Sequence, residues 1–206
     1  MGPSRLHGLI DGVFAIAVTL LVLDLPKPDD PAHLAHDLLR EWPSYVAYAV
    51  SFLTVGVLWI EHHGMMSAVT RVNRRFLERT LLFLFFVSAI PWPTALAAQY
   101  ARDGGSAART VAVLYAATML CMGLSFTLGW RYLAAHGELV AEPARGAFPA
   151  GGRRALIGAL VYVPAVLVAL VSPVASFAIA AVVAVYFAAS RSEVPGLIAR
   201  AADDGT

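Results

Sequence analysis

Residues 155–189 read ALIGALVYVPAVLVALVSPVASFAIAAVVAVYFAA, 35 consecutive residues without a charge. One bilayer crossing by a helix takes about 20 apolar residues. The run is too long for one pass, and Ser172-Pro173 interrupts it near its middle. Two short helices, 154–171 and 174–190, joined by a tight turn satisfy both constraints. Working outward, further apolar stretches at 110–132, 76–98, 43–61 and 6–25 bring the predicted spans to six. Pro91-Trp92-Pro93 falls inside the third span and is expected to kink or unwind it, because proline removes a helix hydrogen bond.

The whole chain agrees with this reading. Of 206 residues, 59% are hydrophobic and 14% charged, and the mean hydropathy is +0.69. A soluble fold of this size would expose apolar patches well beyond what monomers tolerate. In lipid every backbone polar group needs an internal partner. Long unbroken apolar runs, rather than alternating segments of about 10 residues, select helices over a barrel. The fold class is therefore all-α and polytopic, one domain over 1–206 with no loop long enough for a soluble unit. Asp11 and Asp24 bracket the first run and no small-residue cleavage site follows it, so it reads as a retained helix. The single cysteine, Cys121, excludes an intrachain disulfide and reads as a small packing residue. A net charge of +1 gives no sign of a nucleic-acid partner.

Orientation follows from Lys and Arg. With the N-terminus cytoplasmic, 11 of the 15 basic residues fall inside, among them Arg71, Arg74, Arg75, Arg79, Arg131, Arg145, Arg153 and Arg154. Four fall outside: Lys27, Arg40, Arg102 and Arg109. The bias places both termini in the cytoplasm of a cell-membrane protein. The glycine- and proline-rich stretch 134–153 reads as a flexible cytoplasmic loop, and the tail beyond Arg191 as frayed. Trp42, Trp59, Trp92 and Trp130 fall near span ends or breaks, as interfacial anchors do.

On a helix turning about 100° per residue, Gly12, Ile16, Thr19, Leu20 and Leu23 lie within about 60° of Ile16, whereas Asp11 lies about 140° away. The first span thus carries an aliphatic stripe with one hydroxyl, and a carboxylate on a different face. An ionisable group inside a span needs a partner or water. Arg5, nearly two turns earlier, is one candidate, from the same or a neighbouring chain. The plain reading of Asp11 is a helix N-terminal charge favoured by the dipole. Glu61, His62 and His63 end the second span. Adjacent histidines point about 100° apart, so they do not chelate one metal as an i, i+4 pair does. Asp24 ends the first span. Beyond it, Asp29, Asp30, Asp37 and Glu41 stand against Lys27 and Arg40, leaving this outer loop two negative charges in excess. Such a loop either attracts cations or is simply solvated.

The run Arg5-Leu-His-Gly-Leu9-Ile10-Asp11-Gly12-Val-Phe14-Ala-Ile16 resembles the signature of the transmembrane protein 175 family of potassium channels. There, Arg and three further residues precede Phe-Ser-Asp and a Gly-Val-Phe-Ala-Ile type run. Leu9 and Ile10 replace the Phe-Ser pair. Trp59-Ile-Glu-His62-His63 is similar to the family's Trp-x-x-His-His. Asn73-Arg-Arg, then Leu81 to Phe86 and Ile90-Pro91-Trp92-Pro93-Thr94, resembles its run into Pro-Phe-Pro-Thr, with Trp92 for Phe. The resemblance covers residues 5–99.

It implies a potassium-preferring channel, a homotetramer of six-helix chains in the lipid bilayer, with helix one lining a central pore. Ile16 is then the narrow aliphatic ring, continued by Leu20 and Leu23. Thr19 is a hydroxyl ring. Apart from the resemblance, Asp24 at the outer end of helix one reads either as a vestibule charge or as part of a solvated loop. Arg5, Asp11, Trp59, His62 and Asn73 form a supporting network. No cofactor is implied, and no metal beyond potassium ions in transit. The sequence has no Thr-Val-Gly-Tyr-Gly stretch, so selectivity rests on a hydrophobic constriction rather than a carbonyl filter. The alternative is a secondary or proton-coupled transporter using Asp11 and the His62/His63 region, for which the inverted repeats common in carriers are missing. An enzyme comes last, since no nucleophile–base set or ligand cluster is present.

Overall fold

The computed structural model describes residues 3–28, 31–100 and 105–190. It contains α1 (Pro3–Leu23), α2 (Leu34–Arg40), α3 (Trp42–Ser67), α4 (Arg74–Ala89), α5 (Pro91–Tyr100), α6 (Gly105–Ala135), α7 (Phe148–Leu160), α8 (Tyr162–Ala169) and α9 (Pro173–Ala189). Among the described residues the sole extended pairing is one antiparallel bridge, Val69 with Val140. Among the described residues, five stretches are long and apolar enough to cross a membrane: Ser4–Leu23, Trp42–Ser67, Arg74–Tyr100, Gly105–Ala135 and Glu142–Ala169. The sixth apolar helix, α9, has 17 residues, about 26 Å at the usual rise.

Proline accounts for the broken spans. Pro91 and Pro93 have no N–H for the carbonyls of Val87 and Ala89, so α4 ends and α5 begins at this point. Val87 O instead accepts from Ile90 N at 3.2 Å. Pro164 likewise leaves Leu160 O without its donor, and α7 gives way to α8 there. The expected hairpin turn is present. Ser172 caps α9 by accepting from Ala175 N at 3.3 Å, and Pro173 occupies the first helical position.

The long α6 is the hub, packed against α4, α5, α7, α8 and α9. Small residues permit the closest approaches, as at membrane helix interfaces. A Cβ on Gly123 would stand 2.8 Å from that of Ala159. Most hydroxyls within the spans bond backbone carbonyls, but one group of side chains pairs internally. Ser51 Oγ lies 2.8 Å from Thr94 Oγ1 and 3.1 Å from Tyr115 Oη, which joins α3, α5 and α6. The Thr94 hydroxyl also donates to Ile90 O at 2.8 Å.

Four expectations need correction. The stretch 134–153 is built rather than loose. Turns of 3-10 helix at Gly137–Leu139 and Glu142–Ala147 run into α7. Thr70 N donates to Leu139 O, and Ala141 N to Ala68 O, both at 2.9 Å, because the connection before α4 offers free backbone partners. The outer loop contains α2; Asp29 and Asp30 lie outside the described residues, as does the tail beyond Arg191. Trp130 is not interfacial but 1% exposed, with its ring 5.1 Å from that of Phe148. Cys121 is exposed on the outside of α6 rather than packed.

Asn73 proves to be a cap. Its side chain accepts from Phe76 N at 2.9 Å and donates to Tyr132 Oη at 2.9 Å, tying the start of α4 to α6. Arg79 then sits 4.2 Å over the Tyr132 ring. Losing a cap and a part-buried hydrogen bond together costs about 2 kcal/mol. Asn73→Ala is therefore expected to lower the thermal unfolding midpoint of the purified protein. An unchanged midpoint would show that the cap is dispensable.

Candidate functional site

Helix α1 has two unlike faces. Leu6, Ile10, Phe14, Ala17 and Leu21 recur every three or four residues and are buried, on the side packed against α3, α4 and α5. On the other side Ile16 is 60% and Leu23 65% exposed. Leu20, Thr19, Gly12, Gly8 and Arg5 share that uncovered face. A Cβ on Gly8 or Gly12 would meet nothing within 4 Å. The structure thus brings Ile16, Thr19, Leu20 and Leu23 onto one open surface. Asp24, exposed, follows directly at the end of α1.

The Thr19 hydroxyl donates to Ala15 O and Ile16 O, each at 3.0 Å. Its hydrogen is committed to the helix backbone, and the oxygen's remaining acceptor capacity stays with the open face.

Behind this face, α3 holds α1. Trp59 Nε1 donates to Asp11 Oδ1 at 3.0 Å. Arg5 is exposed and makes no ion pair among the described residues of the chain, so the intrachain partner of Asp11 is Trp59 and not Arg5. The reason is geometric: the indole crosses directly between the helices, whereas Arg5 sits nearly two turns further down. His62 is buried, stacked on Phe83 at 5.2 Å, with the Phe14 ring tilted toward it at 6.2 Å. His63 is exposed, its ring 5.5 Å from that of Trp59. A cavity of about 80 Å³ remains between α1 and α3, lined by His7, Asp11, Trp59, His62, His63 and Met66 with Ile10. No group of three or more His, Cys, Asp or Glu among the described residues is arranged to hold a metal ion. The carrier reading gains no ligand cluster or charge pair here: Asp11 accepts from an indole, and His62 is enclosed by aromatic rings.

Asparagine retains an oxygen that accepts from Trp59, whereas leucine does not. Asp11→Asn is expected to leave thermal stability nearly unchanged, and Asp11→Leu to lower it by about 1 kcal/mol. Equal losses in both variants would show that the carboxylate's charge matters, not its hydrogen bond.

A family model described as the endosomal/lysosomal potassium channel TMEM175 matches residues 5–91. A potassium channel of Streptomyces collinus is 40% identical to this chain over 93% of its length and 94% of the relative's. The chain belongs to the TMEM175 family. A second relative, a potassium channel of Chamaesiphon minutus, is 35% identical over 90% of this chain and 93% of its own. The crystal structure of a lysosomal potassium-selective channel TMEM175 homolog from the same organism superposes with a TM-score of 0.81 at 33% identity. That match covers 90% of this chain and 96% of that one. The all-α membrane fold read from the sequence is the TMEM175 fold.

Sequence reasoning did not find everything that positions this TMEM175 helix. The Ser51–Thr94–Tyr115 cluster was signalled only by polar residues inside apolar spans. An ion pair between Glu61 and Arg154 had no signal at all, since the two lie on helices far apart in the chain. The open positions Gly8 and Ala15 were also missed, being too small to register in a hydrophobic pattern.

Proposed function

We propose that the chain is the subunit of a potassium-preferring cation channel in which α1 lines the pore. The uncovered α1 face carries this reading: a tightly held helix presents Ile16, Thr19, Leu20 and Leu23 outward with small residues beside them. One helix encloses no path, so the pore requires several copies, and a homotetramer places four such faces around one axis. Relatives named as potassium channels support the ion. Each chain crosses the cell membrane six times, α9 closing the last hairpin, with both termini in the cytoplasm.

Selectivity then arises from dehydration. A ring of Ile16 admits an ion only after part of its hydration shell is shed. Potassium holds water less tightly than sodium and sheds it more readily. Thr19 oxygens one turn further on replace some of the lost ligands without holding the ion. Asp24 at the outer end raises the local cation concentration. Purified protein in planar bilayers with mixed potassium and sodium is expected to give single-channel currents reversing toward the potassium potential. Saturating flux without unitary currents would instead indicate a carrier. Cross-linking in detergent is expected to stop at four chains; a monomer with flux intact would remove the shared pore.

A further inference from the structure

The Glu61 carboxylate on α3 lies 3.5 Å from Arg154 Nη2 on α7, with side chains 13% and 32% exposed. The same Arg154 nitrogen donates to Ser190 O at 3.2 Å and to Ser190 Oγ at 2.8 Å, just past the end of α9. Its guanidinium also stands 5.5 Å from the Phe187 ring of α9. One cation thus gathers α3, α7 and α9.

Apolar packing beside this junction is incomplete. A cavity of about 80 Å³ remains between these helices and α6, lined by Leu58, Met122, Tyr162, Val183 and Phe187 among others, with Glu61 and Arg154 on its wall. Where packing leaves a void, its lining atoms lose contact energy and constrain one another less. On this side of α3 the Glu61–Arg154 contact therefore adds to loose apolar packing, whereas the next residue, His62, is enclosed by aromatic rings on another face of the helix. Trp59 is only two residues before Glu61, and on a helix the two project about 200° apart. On its other side α3 is fastened to α1 through Trp59 and Asp11 at 3.0 Å. The two attachments lie at nearly the same level, and α3 is the rod between them.

The geometry points to Glu61 and Arg154 as a positioning pair: their contact places α3, and through Trp59 and Asp11 it sets how α1 stands in the channel. The inference rests on the reading of α1 as the pore helix. Neither residue touches the permeating ion. Breaking the contact is expected to change how often the pore is open and not what passes through it. Each single variant breaks the same contact and should act, and the double variant should act no more than the stronger single.

The test is a double-mutant cycle recorded in bilayers on assembled channels. Glu61→Gln and Arg154→Gln are each expected to change open probability at least threefold, with unitary conductance and potassium-over-sodium reversal potential unaltered. The double variant is expected to match the larger single change rather than their product. Trp59→Phe, which removes the donor to Asp11, should produce the same kind of change and add little to Glu61→Gln. Ser190→Ala leaves both charges in place and should act in the same direction more weakly, which keeps the test open if a charge variant does not assemble. Multiplicative effects of the two charge variants, or wild-type open probability in every assembled variant, would overturn the pair. If Ile16 and Thr19 variants leave the reversal potential unmoved, it is the pore reading that fails instead.

Discussion

Thr19→Val is expected to move the reversal potential in mixed potassium and sodium away from the potassium value, with conductance reduced. Valine keeps the shape of threonine and removes the oxygen. Burying a polar or charged species without a replacement ligand is costly, and at this ring the ion would shed water and receive nothing in return. About 1.4 kcal/mol of differential loss corresponds to a tenfold change in permeability ratio, and a loss of that order is expected. Ile16→Ala acts in the opposite sense on conductance. Each side chain shrinks to a methyl group, the ring widens and wets, conductance rises, and selectivity falls because ions keep more of their own water. Thr19→Ser retains the oxygen and should be mild. Because the Thr19 hydroxyl bonds the helix backbone at Ala15 and Ile16, a purely local packing role predicts something different. Stability would shift while permeability ratios stayed fixed. Unmoved reversal potentials in both Ile16→Ala and Thr19→Val would show that α1 does not form the filter.

Gly151→Val should be the most damaging single change to the fold. A Cβ at this position on α7 would lie 2.6 Å from Cε3 and 2.8 Å from Cη2 of Trp130, and closer still to Cζ3. The indole has little freedom to yield. Trp130 is buried on α6, with its ring 5.1 Å from that of Phe148 and 6.2 Å from that of Phe126. Overpacking a core costs about 1–3 kcal/mol in ordinary cases, and a clash against a fixed aromatic ring belongs at or above the top of that range. Little folded protein is expected after detergent extraction, judged by size-exclusion profile and thermal unfolding. Gly56→Ala on α3 is the matched control, because a Cβ there meets nothing within 4 Å; it should be neutral or slightly stabilising. Equal behaviour of the two variants would mean that the α6–α7 approach is not a tight constraint.

These predictions differ in how much of their basis was legible in the sequence. The Ile16–Thr19–Leu20–Leu23 stripe followed from helical periodicity alone, and the exposed face of α1 agrees with it. The breaks at Pro91 and Pro164, and the turn at Ser172-Pro173, follow from chemistry within a few residues, although the α7–α8 break was not anticipated. The stretch 134–153 was misread because its glycine and proline content describes a backbone free to turn. What it turns onto, the 68–70 connection, is remote in sequence. Trp130 was misread for a similar reason. A tryptophan near the end of a span is an anchor only if lipid lies beside it, and here Gly151 opens room for the ring inside the protein.

The sequence by itself determined the membrane-spanning helical class, the breaks at Pro91 and at Ser172-Pro173, the face of α1 that is unlike the others, and the family. All of these depend on local periodicity, on proline's missing donor, or on motifs within single helices. Only the tertiary structure decided that Asp11 is held by Trp59 rather than Arg5, that Asn73 reaches Tyr132, that Ser51, Thr94 and Tyr115 share one cluster, and that Glu61 meets Arg154. Each of these joins side chains on different helices. The bilayer removes most of the hydrophobic preference that would reveal which helix faces meet, so these pairings rest on shape and hydrogen-bond geometry, which leave no period in the chain.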